Sequence, residues 1–422
     1  MKLKLPHQAL LILIFAGAFI LRFILIPSAY HGDLNNNISW GNEAVKNGLS
    51  GFYERESWNF SAPNQPPLYI LLFATTSFIY QTILDFSWNI NSKLAMFPSS
   101  FIWFWEAKGM IYLVKLPSIL ADLGIGLVIY KFFKQRKNEK LALGLSTLWL
   151  FNPITWYNSA VWGQTDALVN LFGLVSILSV LNGKLEKGII FFVISILFKG
   201  SLALFAPLLL VISLCKKYKF VTLVKAAVCG FIVFVGSAMW FHINIDLPIW
   251  MINLYLNKFF PGEIGYLTAN AFNFWWLVDS GKTLDNGVYF GLTARVWGLT
   301  AVTVSIVSLG IWISKKFDEK RVLLSFSILS LVTFLFMTRI HERYLYPFFP
   351  LATLLVGLIP GFWIVYFVFS ITHLANLYHL FWIPTSVVLE GLYVEPLFAC
   401  VIAVINIAAF IFVLRHLRSG RI

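Results

Sequence analysis

The sequence predicts an all-α integral membrane protein of roughly 10–12 transmembrane helices. Three observations carry that expectation. Of 422 residues, 59% are hydrophobic and only 12% are charged, whereas a soluble domain carries about 25% charged residues. Apolar runs of spanning length recur along the whole chain, a span needing about 20 residues. The basic residues fall in short clusters between those runs, the positive-inside pattern of cytoplasmic loops. The net charge of +13 is therefore a topology signal, and nucleic acid is excluded as a partner.

Taken in order, the spans are expected near 7–27, 111–131, 141–157, 166–182, 220–240, 294–314, 321–338, 344–360, 362–379 and 395–415. The first run lacks an A-x-A cleavage site and reads as a retained span. The run 189–214 is different: Lys184 and Lys187 flank one side and Lys216, Lys217 and Lys219 the other. It has to go in and come back, and Phe198-Lys199-Gly200-Ser201 is the natural break, since broken helices are tolerated where backbone lines a cavity. Lys2 and Lys4, Lys131–Lys140, Lys315–Arg321 and Arg415–Arg421 then all fall on the cytoplasmic side. That alternation requires residues 28–110 to form one long outer loop, with the apolar stretch 68–84 lying in or dipping into the interface; if 68–84 crosses instead, a second short crossing near 97–108 has to restore the register. A second large outer loop covers 241–293. The whole chain, 1–422, reads as one polytopic membrane domain in the cell membrane with both termini cytoplasmic. Cys215, Cys229 and Cys400 lie in or beside apolar runs and show no metal or disulfide spacing.

Polar residues outside the lysine clusters concentrate in the outer segments, so the chemistry is expected there. His31-Gly32-Asp33 follows the first span; Asp33 can serve as a general base or as a turn aspartate. Gln65 lies in Asn64-Gln65-Pro66-Pro67, a helix start. Lys115-Leu116-Pro117 leads to Asp122 inside the membrane zone, either a functional carboxylate or a helix-to-helix hydrogen bond. Arg22, in the first span, needs a partner or an aqueous cavity, and Asp122 is one acidic candidate. In Trp162-Gly163-Gln164-Thr165-Asp166, Gln164 and Asp166 could bind sugar hydroxyls, or Thr165 or Asp166 could cap the next helix. Lys199 could hold a phosphate or snorkel. Asn270 and Asn273 stand among aromatics, which suits a sugar, a lipid head or an interfacial belt. The densest group is Thr338-Arg339-Ile340-His341-Glu342-Arg343-Tyr344, where arginine suits bidentate phosphate recognition.

In this order (GD, PPLY, KLPxxLAD, WGQTDAL, NAFNFW, HERYLxP) the motifs resemble those of the GT-C superfamily of membrane glycosyltransferases, which take polyprenyl-phosphate sugars as donors. The likeness runs from His31 to Tyr344 and is closest to bacterial and archaeal mannosyl- and glucosyltransferase-like members. It implies that Asp33 is the catalytic base and that His341 and Arg343 help bind the donor phosphate, with Arg339 and Lys199 as further cations. Related bacterial chains often carry Lys-Pro-Gln where this one has Lys199-Gly200-Ser201, and the charged residues that follow Gly-Asp in eukaryotic members are replaced by Leu34-Asn35-Asn36-Asn37. No D-x-D follows Gly32, so no metal or other cofactor is expected.

The implied reaction is inverting hexosyl transfer to a hydroxyl of a glycan, lipid or protein acceptor. A lipid phosphate leaves without protonation, so one base and a cationic clamp suffice, whereas an inverting glycosidase needs an acid as well. A secondary transporter or flippase is the rival reading; it predicts inverted repeats and a midplane site, and no repeat is evident.

Overall fold

The computed structural model describes residues 6–94, 96–259, 265–279 and 282–418. It is helical almost throughout; among the described residues the one ladder pairs Val288–Tyr289 with Leu292–Thr293. α1 (His7–Leu25) is followed by a turn at 26–29 and by α2 (Asp33–Asn47). α3 (Pro67–Lys93) starts at the Pro66-Pro67 signal, because proline at the first helical position forfeits no hydrogen bond. α4 (Ser99–Phe104), a π-helical turn at Trp105–Gly109 and α5 (Met110–Lys134) form one helix of 36 residues. α6 (Glu139–Leu150) is capped by Asn138, whose Oδ1 accepts from Leu141 N at 3.1 Å. α7 (Pro153–Trp156) passes into a second π-helical turn, Tyr157–Trp162, before α8 (Asp166–Leu181). Next come α9 (Leu185–Phe198), a 3₁₀ turn at Gly200–Phe205, α10 (Ala206–Cys215), α11 (Phe220–Ala238) and α12 (Leu247–Leu254). The last third holds α13 (Ala294–Lys315), α14 (Glu319–Phe336), α15 (Phe348–Leu358), α16 (Phe362–Phe381), α17 (Val387–Val394) and α18 (Pro396–Arg418).

This is the build of a multi-pass membrane protein. Among the described residues, seven helices are long and apolar enough to cross a bilayer: His7–Ser28, Pro67–Lys93, Ser99–Lys134, Phe220–Ala238, Ala294–Lys315, Phe362–Phe381 and Pro396–Arg415. The span expected near 321–338 is present as the 18-residue α14, and those near 141–157 and 166–182 as the shorter α6 and α8. The one expected near 344–360 is reduced to α15, because residues 338–347 are spent on an irregular segment at the helix end. Helix α14 is buried over most of its length, while α11 turns Val228, Phe231 and Ile232 outward. An apolar outer face suits lipid as solvent.

The basic clusters meet at one end of the bundle. Arg136 forks onto Glu319 at 2.5 and 2.6 Å, His7 Nδ1 lies 3.1 Å from Glu139, and Lys216 sits over the Phe317 ring at 5.6 Å. Lys2, Lys4 and Arg421 lie outside the described residues. The run 189–214 breaks where the sequence places it: α9 ends at Phe198 and Lys199 is extended, φ −163° and ψ 132°.

Residues 28–110 fold into α2, α3 and α4 joined by turns, and α3 covers the apolar stretch 68–84. Helices α1 and α5 are antiparallel neighbours, with Arg22 against Asp122 and Lys115 against Ile26. α3 is antiparallel to the Ser99–Lys134 helix through Asn91 with Ser99, Trp88 with Glu106 and Tyr80 with Trp105. α3 therefore runs in the same sense as α1. It starts where α1 ends, Tyr69 and Phe73 packing in one cluster with Val114. It leads away from the basic end instead of returning through the bundle, and 36 residues make about 54 Å of partner helix, well beyond a hydrocarbon core of about 30 Å. Gly41 lets α2 lie on α3, since a Cβ there would come within 2.3 Å of the Phe73 carbonyl oxygen. The 241–293 loop is likewise structured, holding α12, a 3₁₀ turn at Phe274–Leu277 and the two-residue ladder.

Candidate active site

The polar end of the bundle is assembled from four segments. The first is the start of α2. Asp33 is its first residue, so its carboxylate faces a positive helix end. Its side chain is 44% exposed, and Oδ2 accepts a hydrogen bond from Gln164 Nε2 at 2.7 Å. The Asp33 backbone N–H donates to His31 Nδ1 at 3.1 Å, which leaves Nε2 as the protonated ring nitrogen. One turn on, Asn37 Oδ1 accepts from the Tyr69 hydroxyl at 2.9 Å. Asn36 accepts from Ser61 N and Asn35 from the Tyr30 hydroxyl. The asparagine run thus fastens α2 to its surroundings.

The second segment is the turn from Trp162 to Asp166, where Gly163 has φ +86°. Trp162 is fully buried; its ring lies 5.2 Å from His31 and 5.5 Å from Phe381. The third is the α9 break, whose Lys199 Nζ donates to Asp166 Oδ1 at 3.1 Å and stands 4.9 Å over the Tyr344 ring. The fourth is the segment between α14 and α15. Arg343 Nη1 donates to Glu342 Oε1 at 2.7 Å, and Arg343 Cζ lies 5.9 Å from the Trp162 ring centre. Arg343 Nε is 4.0 Å from Asp166 Oδ2. Arg343 Nε and Trp162 Nε1 are buried N–H groups with no hydrogen-bond partner among the described residues. An orphaned buried donor is costly; here one belongs to the Trp162 ring and the other to the arginine that faces it. Beside the Lys199 break, Ile196, Gly200, Ala203, Phe234, Ile252 and Leu256 line an open apolar groove of about 230 Å³.

A saturated network lies beneath. Arg22 donates from Nε to Asp122 Oδ2 at 3.1 Å, from Nη1 to the Ala18 and Leu150 carbonyls, and from Nη2 to Thr155 Oγ1. Asp122 also accepts from Ser159 Oγ and from the Tyr346 hydroxyl, both at 2.6 Å. Asp122 is thus the partner that Arg22 needs, and it serves as a helix-to-helix tie. Through Tyr346 it also holds the segment that carries Arg343.

No family model matches this chain, and no curated protein matches it.

Of the residues singled out from sequence, the structure brings Asp33, Gln164, Asp166, Lys199, His341 and Arg343 to this end. Asp166 neutralises the cations and does not stand apart as a sugar ligand. Thr165, the N-cap residue of α8, makes no side-chain cap hydrogen bond. Arg339 turns elsewhere: its Nε and Nη2 clasp Asp285 at 2.7 and 3.0 Å, which ties the α14–α15 segment to the 265–285 loop. Asn273 is fully buried, donating Nδ2 to the Phe334 carbonyl at 3.1 Å while its Oδ1 accepts from Trp275 N. Its amide serves the fold, which removes it as a sugar ligand. Asn270 is exposed beside the His341 backbone. Gln65 is half-buried before α3, its Nε2 donating to Asn64 Oδ1 at 3.0 Å. Sequence reasoning passed over Trp162, Glu342 and Tyr344 as site members. Their signal was adjacency to Gln164 and Arg343, which does not by itself say which way a ring faces.

Burial lowers both His31 and His341 below 6.5, against the opposing pull of Asp33 and Glu342 respectively. His341 is thus a neutral hydrogen-bonding group at neutral pH. Burial would raise Glu342, but Arg343 and His341 overcome it and hold its carboxyl at about 2. The signs agree. Below pH 6.5 the unfolded chain takes up histidine protons that the folded chain refuses. The Glu342 contribution is complete above its ordinary value of 4.5 and is lost as pH falls towards about 2. These three groups should make the thermal midpoint in detergent fall progressively as pH drops below neutral. A midpoint that rises between about pH 7 and 5 would contradict these environments.

Proposed function

We propose that this chain is an inverting glycosyltransferase of the GT-C type, moving a hexose from a polyprenyl-phosphate donor to an acceptor hydroxyl. One observation carries the reading. A half-exposed carboxylate, Asp33, lies within electrostatic reach of Arg343, a mostly buried arginine with an unused N–H, and His31 beside Asp33 packs on the same Trp162 ring that Arg343 faces. Asp33 takes the acceptor proton while the acceptor oxygen bonds to the anomeric carbon. The bond from that carbon to the phosphate oxygen breaks on the opposite face, and the lipid phosphate departs as an anion. The donor phosphate would share Arg343 and Lys199 with Asp166 and Glu342, using the free Arg343 edge and the Trp162 N–H. The apolar groove beside Lys199 suits the start of the prenyl chain.

Placing the basic clusters in the cytoplasm puts this site on the outer face of the cell membrane, with both termini inside. The crossings then number roughly 10–12, and α2 to α4 supply the helices of the long first outer loop. Exposed Phe78, Phe86, Trp88 and Trp103 on that hairpin suit contact with the lipid interface.

The test is a transfer assay on purified protein with a panel of polyprenyl-phosphate hexoses and membrane-extract acceptors. One donor should be consumed with release of polyprenyl phosphate. If no donor is consumed, but reconstituted protein moves a lipid-linked sugar between leaflets, the flippase reading takes its place.

A further inference from the structure

We infer that Lys115 is a positioning residue for Asp33 and Gln164, its ammonium filling a built cage of main-chain carbonyls that a free alkylammonium ion can refill. The residue is fully buried on α5. Its Nζ lies 2.9 Å from the Ile26 oxygen, 2.8 Å from Ala29, 3.0 Å from Ala160 and 2.8 Å from Val161. Three N–H bonds are shared among four carbonyls, an arrangement suited to a compact cation. The carbonyls belong to chain segments that have run out of their own amide partners. Ile26 and Ala29 lie past the end of α1, and Ala160 and Val161 lie in the last turn of the π-helical segment. Helix ends leave such oxygens unsatisfied, and one ammonium satisfies both sets.

The side chains just beyond each pair make the cage functional. Four residues after Ala29 comes Asp33, and three after Val161 comes Gln164, the two side chains that meet at 2.7 Å. Gly163 between them rests on the lysine stem. A Cβ there would lie 3.1 Å from Lys115 Cγ and Cε and 2.9 Å from Leu34 Cδ2. Lys115 therefore sets the separation of the two strands of chain that hold the Asp33 carboxylate in place. Its role in transfer rests on the proposed function. Its role in geometry does not.

The test cuts the side chain back to Lys115→Ala and supplies the missing portion as propylammonium. Backbone amide exchange is followed by mass spectrometry on the detergent-solubilised chain. Exchange should rise within residues 29–35 and 159–165 alone, return towards the parent level in propylammonium, and not respond to propanol. Unchanged exchange, or a uniform rise across the bundle, overturns the proposal. Protein recovered folded in neither buffer counts against a refillable cage. Lys115→Met is the second arm. Its chain fills the channel, so the same two segments should loosen and propylammonium should have no effect; behaviour like the parent overturns the proposal. If the transfer assay succeeds, kcat of Lys115→Ala should fall about 100-fold at unchanged donor KM, the scale expected of a small misplacement of reacting groups, and recover with the amine. Amide exchange needs no turnover, so an inactive parent defeats the transferase reading and leaves this test intact.

Discussion

Asp33→Asn should abolish sugar transfer while leaving the protein folded and the donor bound. The amide keeps the shape of the carboxylate, and its oxygen can still accept the Gln164 Nε2–H that meets Asp33 at 2.7 Å. The backbone bond from Asp33 N to His31 Nδ1 is untouched. Because the side chain is 44% exposed, the substitution strips no buried partner; it removes a favourable charge at the start of α2, worth about 0.3–1 kcal/mol. What disappears is the basic lone pair, and losing a positioned general base costs about 10²–10⁴ in rate. Turnover is measured beside donor binding by the purified variant. Unchanged turnover would keep a transferase but remove Asp33 as its base. Loss of donor binding together with turnover would instead make Asp33 part of the binding surface.

The largest effect on stability should come from Arg22→Met. Arg22 and Asp122 are both completely buried, and every guanidinium nitrogen of Arg22 is engaged. Methionine fits the space but leaves Asp122 with only the Ser159 and Tyr346 hydroxyls. Breaking one partner of a buried ion pair costs about 3–5 kcal/mol, because the remaining charge is stranded. The thermal midpoint in detergent should drop accordingly. The double variant Arg22→Met with Asp122→Leu should recover much of it, since removing both charges removes the stranded one. A double variant no more stable than the single one would mean that the network contributes through shape, not charge. Tyr346 ties Asp122 to the Arg343 segment, so the single variant should also weaken donor binding.

The sequence could announce the membrane class because the bilayer imposes its rule locally: about 20 apolar residues for each crossing and basic residues between them. The break at Lys199 was legible for the same reason, as basic flanks on both sides of one apolar run forbid a single crossing. The Pro66-Pro67 helix start is equally local. Asp122 as the mate of Arg22 was within reach, since a buried charge requires a partner and few acids lie in the apolar zone.

Local rules stop at the choice of partner. Asp33 and Gln164 are 131 residues apart in the chain, and Arg22 and Asp122 are 100 apart. Arg339 and Arg343 look equivalent in sequence, yet one turns to Asp285 and the other to Glu342 and Trp162. Arg339 takes its turn at φ +64°, which sends the two side chains apart. Asn273 went to the fold because the last carbonyls of α14 lacked amide partners. The course of α3 was decided by its pairing with the Ser99–Lys134 helix, a contact between two apolar surfaces that hydropathy scores alike whether lipid or protein covers them. Composition and spacing by themselves determined that this chain crosses a membrane and gathers its polar residues between the spans. Only the tertiary structure decided which cations share a site and which serve the scaffold, because a buried charge takes whichever partner the packed helices bring within hydrogen-bond distance.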